Sequence, residues 1–75
     1  MSPPRTPSLN NQLRQFRVEA GLTQQELAEK VGVTRKTINT VENAVFIPST
    51  VLALKLAAAL GTDVHSLFQL PDASK

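Results

Sequence analysis

Gly32 and Thr34 stand two positions apart between two stretches of helical patterning, a spacing that leaves room for one tight turn between two helices and nothing longer. Gly32 closes the stretch before it, and the Thr34 hydroxyl caps the one after it. Upstream, Thr23 followed three residues later by Glu26 is a capping box, which opens a helix carrying Leu27, Ala28 and Val31 on its inner face. Downstream, a third helix is expected over about 35–43, with Ile38 and Val41 inward and Arg35, Lys36, Asn39 and Thr40 outward. Two helices crossing steeply over a short turn need a small residue where the axes approach, a residue tolerant of positive φ at the turn, and branched apolar residues facing inward on the second helix. Ala28, Gly32, Ile38 and Val41 supply these in that order.

The flanking sequence extends the helical pattern. Leu9, Leu13, Phe16 and Ala20 recur at helical spacing and predict a first helix over about 10–20, ended by Gly21. Pro48-Ser49 marks another start after an irregular loop at 44–47, and a fourth helix over about 50–60 is apolar on most sides, as a central pillar of the core would be. Gly61 ends it, Asp63 caps a short fifth helix ending near Phe68, and Pro71 precedes a polar tail. The expectation is an all-α domain of five helices and no strand over residues 9–69, between a flexible arm at 1–8 and a flexible tail at 70–75. Arg5 on the arm offers a reach into a minor groove, but disorder without a partner is the favoured expectation.

Seventy-five residues hold one small core, so a single domain is expected over them. The absence of cysteine removes disulfides and thiolate metal sites as staples, and dimerisation would help so small a core. Eight basic against six acidic residues give a net charge of +2, too small to identify a polyanion partner; placement carries the signal. No apolar run is long enough to span a bilayer or serve as a signal peptide, which points to the cytoplasm and no membrane partner. Catalysis needs a nucleophile with its base, a metal cluster or paired carboxylates in a cleft, and the chain offers neither cysteine, tyrosine nor a second histidine. An enzyme is therefore not expected, and no cofactor or metal is implied.

The run Leu22-Thr23-Gln24-Gln25-Glu26-Leu27-Ala28-Glu29-Lys30-Val31-Gly32-Val33-Thr34, then Ile38 to Asn43, Pro48-Ser49, Leu52 to Ala57 and Leu67-Phe68, resembles the phage-repressor and Cro-like regulators, also called the xenobiotic-response-element family. The resemblance covers about residues 9–68. It implies a five-helix lambda-repressor-like DNA-binding domain, binding to a double-stranded DNA operator, and a two-fold homodimer. It makes the third helix the one that enters the major groove, with Arg35, Lys36, Asn39 and Thr40 toward base edges. Gln24, Thr34, Thr37 and Asn43 take positions toward the DNA backbone, where the opening of the second helix also favours an anion. Arg17 and Glu42 match the family's structural ion pair between the first and third helices.

Two departures stand out. The family generally has glycine after the Glu-Asn pair and then a basic residue; here these are Ala44 and Val45, so either Asn43 takes the left-handed conformation or the loop is rerouted, and one phosphate clamp is lost. Val45, Phe46, Ile47 and Val51 are unusually apolar, and either fold onto the core or form an interface for a second subunit or another protein. The primary expectation is a transcription regulator, most simply a repressor. The alternatives are an antitoxin that sequesters a toxin through the apolar loop or tail, and a helical interaction module that has lost DNA binding.

Overall fold

Four of the helices begin where a short polar side chain can satisfy the first free backbone N–H groups. In the computed structural model, which describes residues 10–70, the elements are β1 (Asn10–Asn11), α1 (Leu13–Glu19), α2 (Gln24–Val31), α3 (Arg35–Glu42), α4 (Thr50–Ala59), α5 (Val64–Leu67) and β2 (Phe68–Gln69). Thr23, Thr34, Ser49 and Asp63 each accept a hydrogen bond from the backbone N–H three residues on, at the openings of α2, α3, α4 and α5. At Thr23 the Glu26 carboxylate also accepts from the Thr23 backbone N–H at 2.8 Å, completing the capping box. Residues 1–9 and 71–75, with the arm, Arg5, Leu9 and Pro71, lie outside the described residues.

The helices wrap one core. Leu13, Leu27, Ala28, Ile38, Val41, Leu56 and Leu67 are fully buried, with Val31, Leu52, Ala53, Ala57 and Phe68 nearly so. α2 packs most extensively on α3 and next on α4. Ala28, with no exposed surface, lies where α2 meets its neighbours, and Gly32 takes φ 77° at the turn. α4 is apolar almost all round, yet only Leu52, Ala53, Leu56 and Ala57 are buried; Val51 and Leu54 face outward.

The expectation of no strand is corrected. β1 and β2 pair antiparallel, Asn10 opposite Gln69 and Asn11 opposite Phe68, and the Gln12 N–H donates to the Leu67 carbonyl at 2.8 Å. This clip explains why the first helix begins at Leu13 and not near 10. The Asn11 Oδ1 accepts from the Leu13 N–H at 2.9 Å, and its Nδ2 donates to the Val41 carbonyl at 2.5 Å in the last turn of α3. A short amide side chain bonding locally to backbone competes with helix propagation, and here it wins. The fifth helix correspondingly stops at Leu67, because Phe68 is extended in β2.

The end of α3 needs a second correction. Asn43 does not take the left-handed conformation, with φ at −91°; Ala44 does, at φ 60°. The Ala44 N–H donates to the Val41 carbonyl and the Val45 N–H to the Thr40 carbonyl, the paired closure of a Schellman motif. The same pair of bonds ends α1 around Gly21 and α4 around Gly61. Of these three ends, only that of α3 places a Cβ at the left-handed position.

Candidate nucleic-acid interface

α3 is held from beneath by Ile38 and Val41, both without exposed surface, and this fixes which side chains it turns outward. Arg35, Lys36, Asn39 and Asn43 are exposed; Thr37 and Thr40 are half-buried on the flanks. The two threonines are tied to backbone and cap. The Thr34 Oγ1 accepts from the Thr37 N–H at 3.3 Å and lies 3.1 Å from the Thr37 Oγ1, while the Thr40 hydroxyl donates to the Thr37 carbonyl at 2.9 Å. Thr34 itself is exposed.

Behind this face runs a polar network. The Arg17 Nε donates to the Glu42 Oε2 at 2.5 Å and its Nη2 to the Oε1 at 3.3 Å, with Nη1 donating to the Leu22 carbonyl at 2.8 Å. Arg17 thereby joins α1, the connection into α2, and α3. The Gln24 Nε2 donates to the same Glu42 Oε1 at 3.0 Å and to the Asn39 Oδ1 at 3.3 Å, and the Gln24 Oε1 accepts from the Arg35 Nη1 at 3.4 Å. The Asn43 Nδ2 donates to the Asn39 carbonyl at 2.9 Å and to the Asn39 Oδ1 at 3.0 Å. From the sequence, Arg17 pairs with Glu42 while Gln24, Asn39 and Asn43 stand apart from that pair; the structure brings all five into one connected set.

That set changes how Gln24 and Asn43 can meet a phosphate. Both amide hydrogens of each side chain are engaged within the protein. At the opening of α2 the backbone N–H groups of Gln24 and Gln25 have no partner among the described residues, and a helix N-terminus directs such groups at an anion. The position remains suited to a phosphate, through backbone in place of side chain.

The loop after α3 does not fold onto the core. Val45, Phe46, Ile47 and Val51 are 77%, 47%, 49% and 61% exposed, with Leu54 at 57% beside them. Beside α3, a shallow groove is lined by Lys36, Thr37, Thr40, Val45 and Phe46. No group of histidines and carboxylates among the described residues is arranged to hold a metal, and no helix among them is long and apolar enough to cross a membrane.

A capped pair of helices in tight apposition, with the second presenting a polar and basic face, defines a DNA-binding helix-turn-helix. A family model described as helix-turn-helix matches residues 13–67. An HTH-type transcriptional regulator of Methanothermobacter thermautotrophicus is 48% identical over 61 residues, covering 80% of this chain and 88% of that protein. Among solved structures, the restriction-modification controller protein C.AhdI of Aeromonas hydrophila superposes with a TM-score of 0.72 at 38% identity, over 76% of this chain and 86% of that one. The biofilm master regulator SinR, solved in complex with DNA, gives 0.69 at 34% identity, over 73% and 89%. The chain belongs to this Cro/C1-type helix-turn-helix family of DNA-binding transcription regulators, and not to a family of enzymes.

Proposed function

We propose that this regulator binds as a homodimer to a partly palindromic operator and represses transcription by occupying it. Each α3 enters the major groove, the two about 34 Å apart. Arg35 and Lys36 stand at the entering end, where arginine suits the paired acceptors of guanine and lysine donates less directionally. Asn39 and Thr40 follow one turn on. Thr34 and Thr37, the backbone N–H groups at Gln24, and Asn43 border the phosphates on either side. A regulator of duplex DNA works where the DNA is, and for a chain related to archaeal and bacterial regulators that is the cytoplasm.

One observation carries this reading: Ile38 and Val41 are fully buried on the inner face of α3 while Arg35, Lys36 and Asn39 stand exposed on the outer face. The buried inner face fixes which side chains α3 turns outward. The exposed surface of Phe46, Ile47, Val51 and Leu54 supports a protein partner, and a second copy of the chain is the partner the family's two-fold arrangement supplies. Selection of bound duplexes from a random pool at defined salt is the test. A recovered inverted repeat supports a dimer reading major grooves, and binding that is neither salt-dependent nor sequence-selective contradicts it.

A further inference from the structure

The polar network behind α3 has a direction. The Glu42 carboxylate, 2% exposed, only accepts, so the amide group of Gln24 must turn its Nε2 toward it. Reversing that amide would set the Gln24 Oε1 against two acceptors, Glu42 Oε1 and Asn39 Oδ1, and set its NH2 against the guanidinium of Arg35. The sense is therefore fixed from three sides. The next link follows: the Asn39 Oδ1 receives one hydrogen from Gln24 and one from Asn43, which fills both of its lone pairs. What Asn39 has left for the solvent side is its Nδ2, which has no partner among the described residues.

An asparagine free to use both ends of its amide matches adenine, accepting from N6 and donating to N7; guanine instead shows two acceptors, N7 and O6. We propose that Glu42 is a positioning residue for DNA readout. Acting through Gln24, it locks Asn39 as a donor, so that α3 selects guanine over adenine at the base pair Asn39 faces. With Arg35 and Lys36, which only donate, the reading face then presents donors along its exposed ridge, and the operator half-site it fits carries guanine acceptors in the major groove. This rests on α3 as the reading element, and it adds a role for a side chain that itself stays out of the groove.

Selection on the full chain, repeated with Asn39→Ala, identifies the base pair Asn39 faces as the one whose preference collapses. Wild type is expected to favour guanine over adenine there by about tenfold. Glu42→Gln keeps the side-chain shape but offers an NH2 that Gln24 can accept from, which turns the Gln24 amide; combined with Asn43→Ala, which removes the other donor to the Asn39 Oδ1, it releases Asn39, and the preference should fall to within about twofold. Gln24→Ala with Asn43→Ala removes both donors to the Asn39 Oδ1 while leaving the Arg17–Glu42 ion pair in place, and should do the same, which keeps the test decisive if the Glu42→Gln variant melts early. A wild-type preference for adenine at that pair, or an undiminished guanine preference in either folded double variant, overturns the proposal and leaves α3 as the reading element. A wild type with no sequence preference overturns the readout itself.

Discussion

Arg17 and Glu42 meet at 2.5 Å across the contact between α1 and α3, with their side chains 11% and 2% exposed. The two ends of the pair are unequal. Removing Glu42 leaves Arg17 its bond to the Leu22 carbonyl and some water, whereas removing Arg17 leaves a nearly buried carboxylate with one neutral donor, Gln24. Stranding a buried charge costs about 3–5 kcal/mol. Thermal melts should therefore show both Arg17→Ala and Glu42→Ala destabilised by several kcal/mol, with Arg17→Ala the worse. An unchanged melt for either variant would show that the pair does not hold α3 in place.

Ala44 occupies a position that glycine fills at the ends of α1 and α4. A Cβ in the left-handed region costs about 1–2 kcal/mol, partly offset because alanine restricts the unfolded chain more than glycine does. Ala44→Gly is expected to stabilise the domain by about 1 kcal/mol, raising Tm by about 4–8 °C for a chain of this size. A lower Tm would mean that the loop depends on the methyl group of Ala44.

Phe46 is exposed, as are Val45, Ile47, Val51 and Leu54. Phe46→Ser removes the largest of these side chains without opening the core. Light scattering should show a dimer for wild type and a monomer for Phe46→Ser, with the far-UV spectrum unchanged. An equal mass for the two proteins would exclude this surface as the contact between copies.

Asp63 holds its carboxyl below the ordinary value of 3.8 through hydrogen bonding from Ser66, whose backbone N–H donates to the Asp63 Oδ1 at 2.8 Å. The folded value lies below the unfolded one, so the contribution is present above the unfolded value and is lost as pH falls through the folded one. Wild type should lose stability to Asp63→Asn on acidification below about pH 4, with the gap between the two melts narrowing as Asp63 protonates. A gap that stays constant from pH 6 to pH 2 would contradict this role.

The helix starts and the turn were readable because their determinants are local. Thr23, Thr34 and Asp63 signal a cap within three residues, and the spacing from Gly32 to Thr34 admits only one kind of connection. What local patterning misses is set by partners far along the chain. Asn11 reaches Val41, thirty residues on, and that bond together with β2 turns an expected helical turn into a strand. The repeated amides of Asn10-Asn11 carried the only sequence signal for that, since short amides favour local backbone bonds. In the interface, the candidates on α3 could be named from helical spacing, but the chain of bonds from Arg17 through Glu42 and Gln24 to Asn39 spans three helices. Only the packed arrangement shows which end of each amide faces out.

The central claim is that the outer face of α3 carries the sequence preference. Titrating the selected operator and a shuffled duplex with wild type, Arg35→Ala and Lys36→Ala at one salt concentration tests it directly. Arg35→Ala should lose about 1–3 kcal/mol of the difference between the two duplexes, and Lys36→Ala a smaller share. If both variants keep the full wild-type preference for the operator while remaining folded, α3 is not the element that reads DNA.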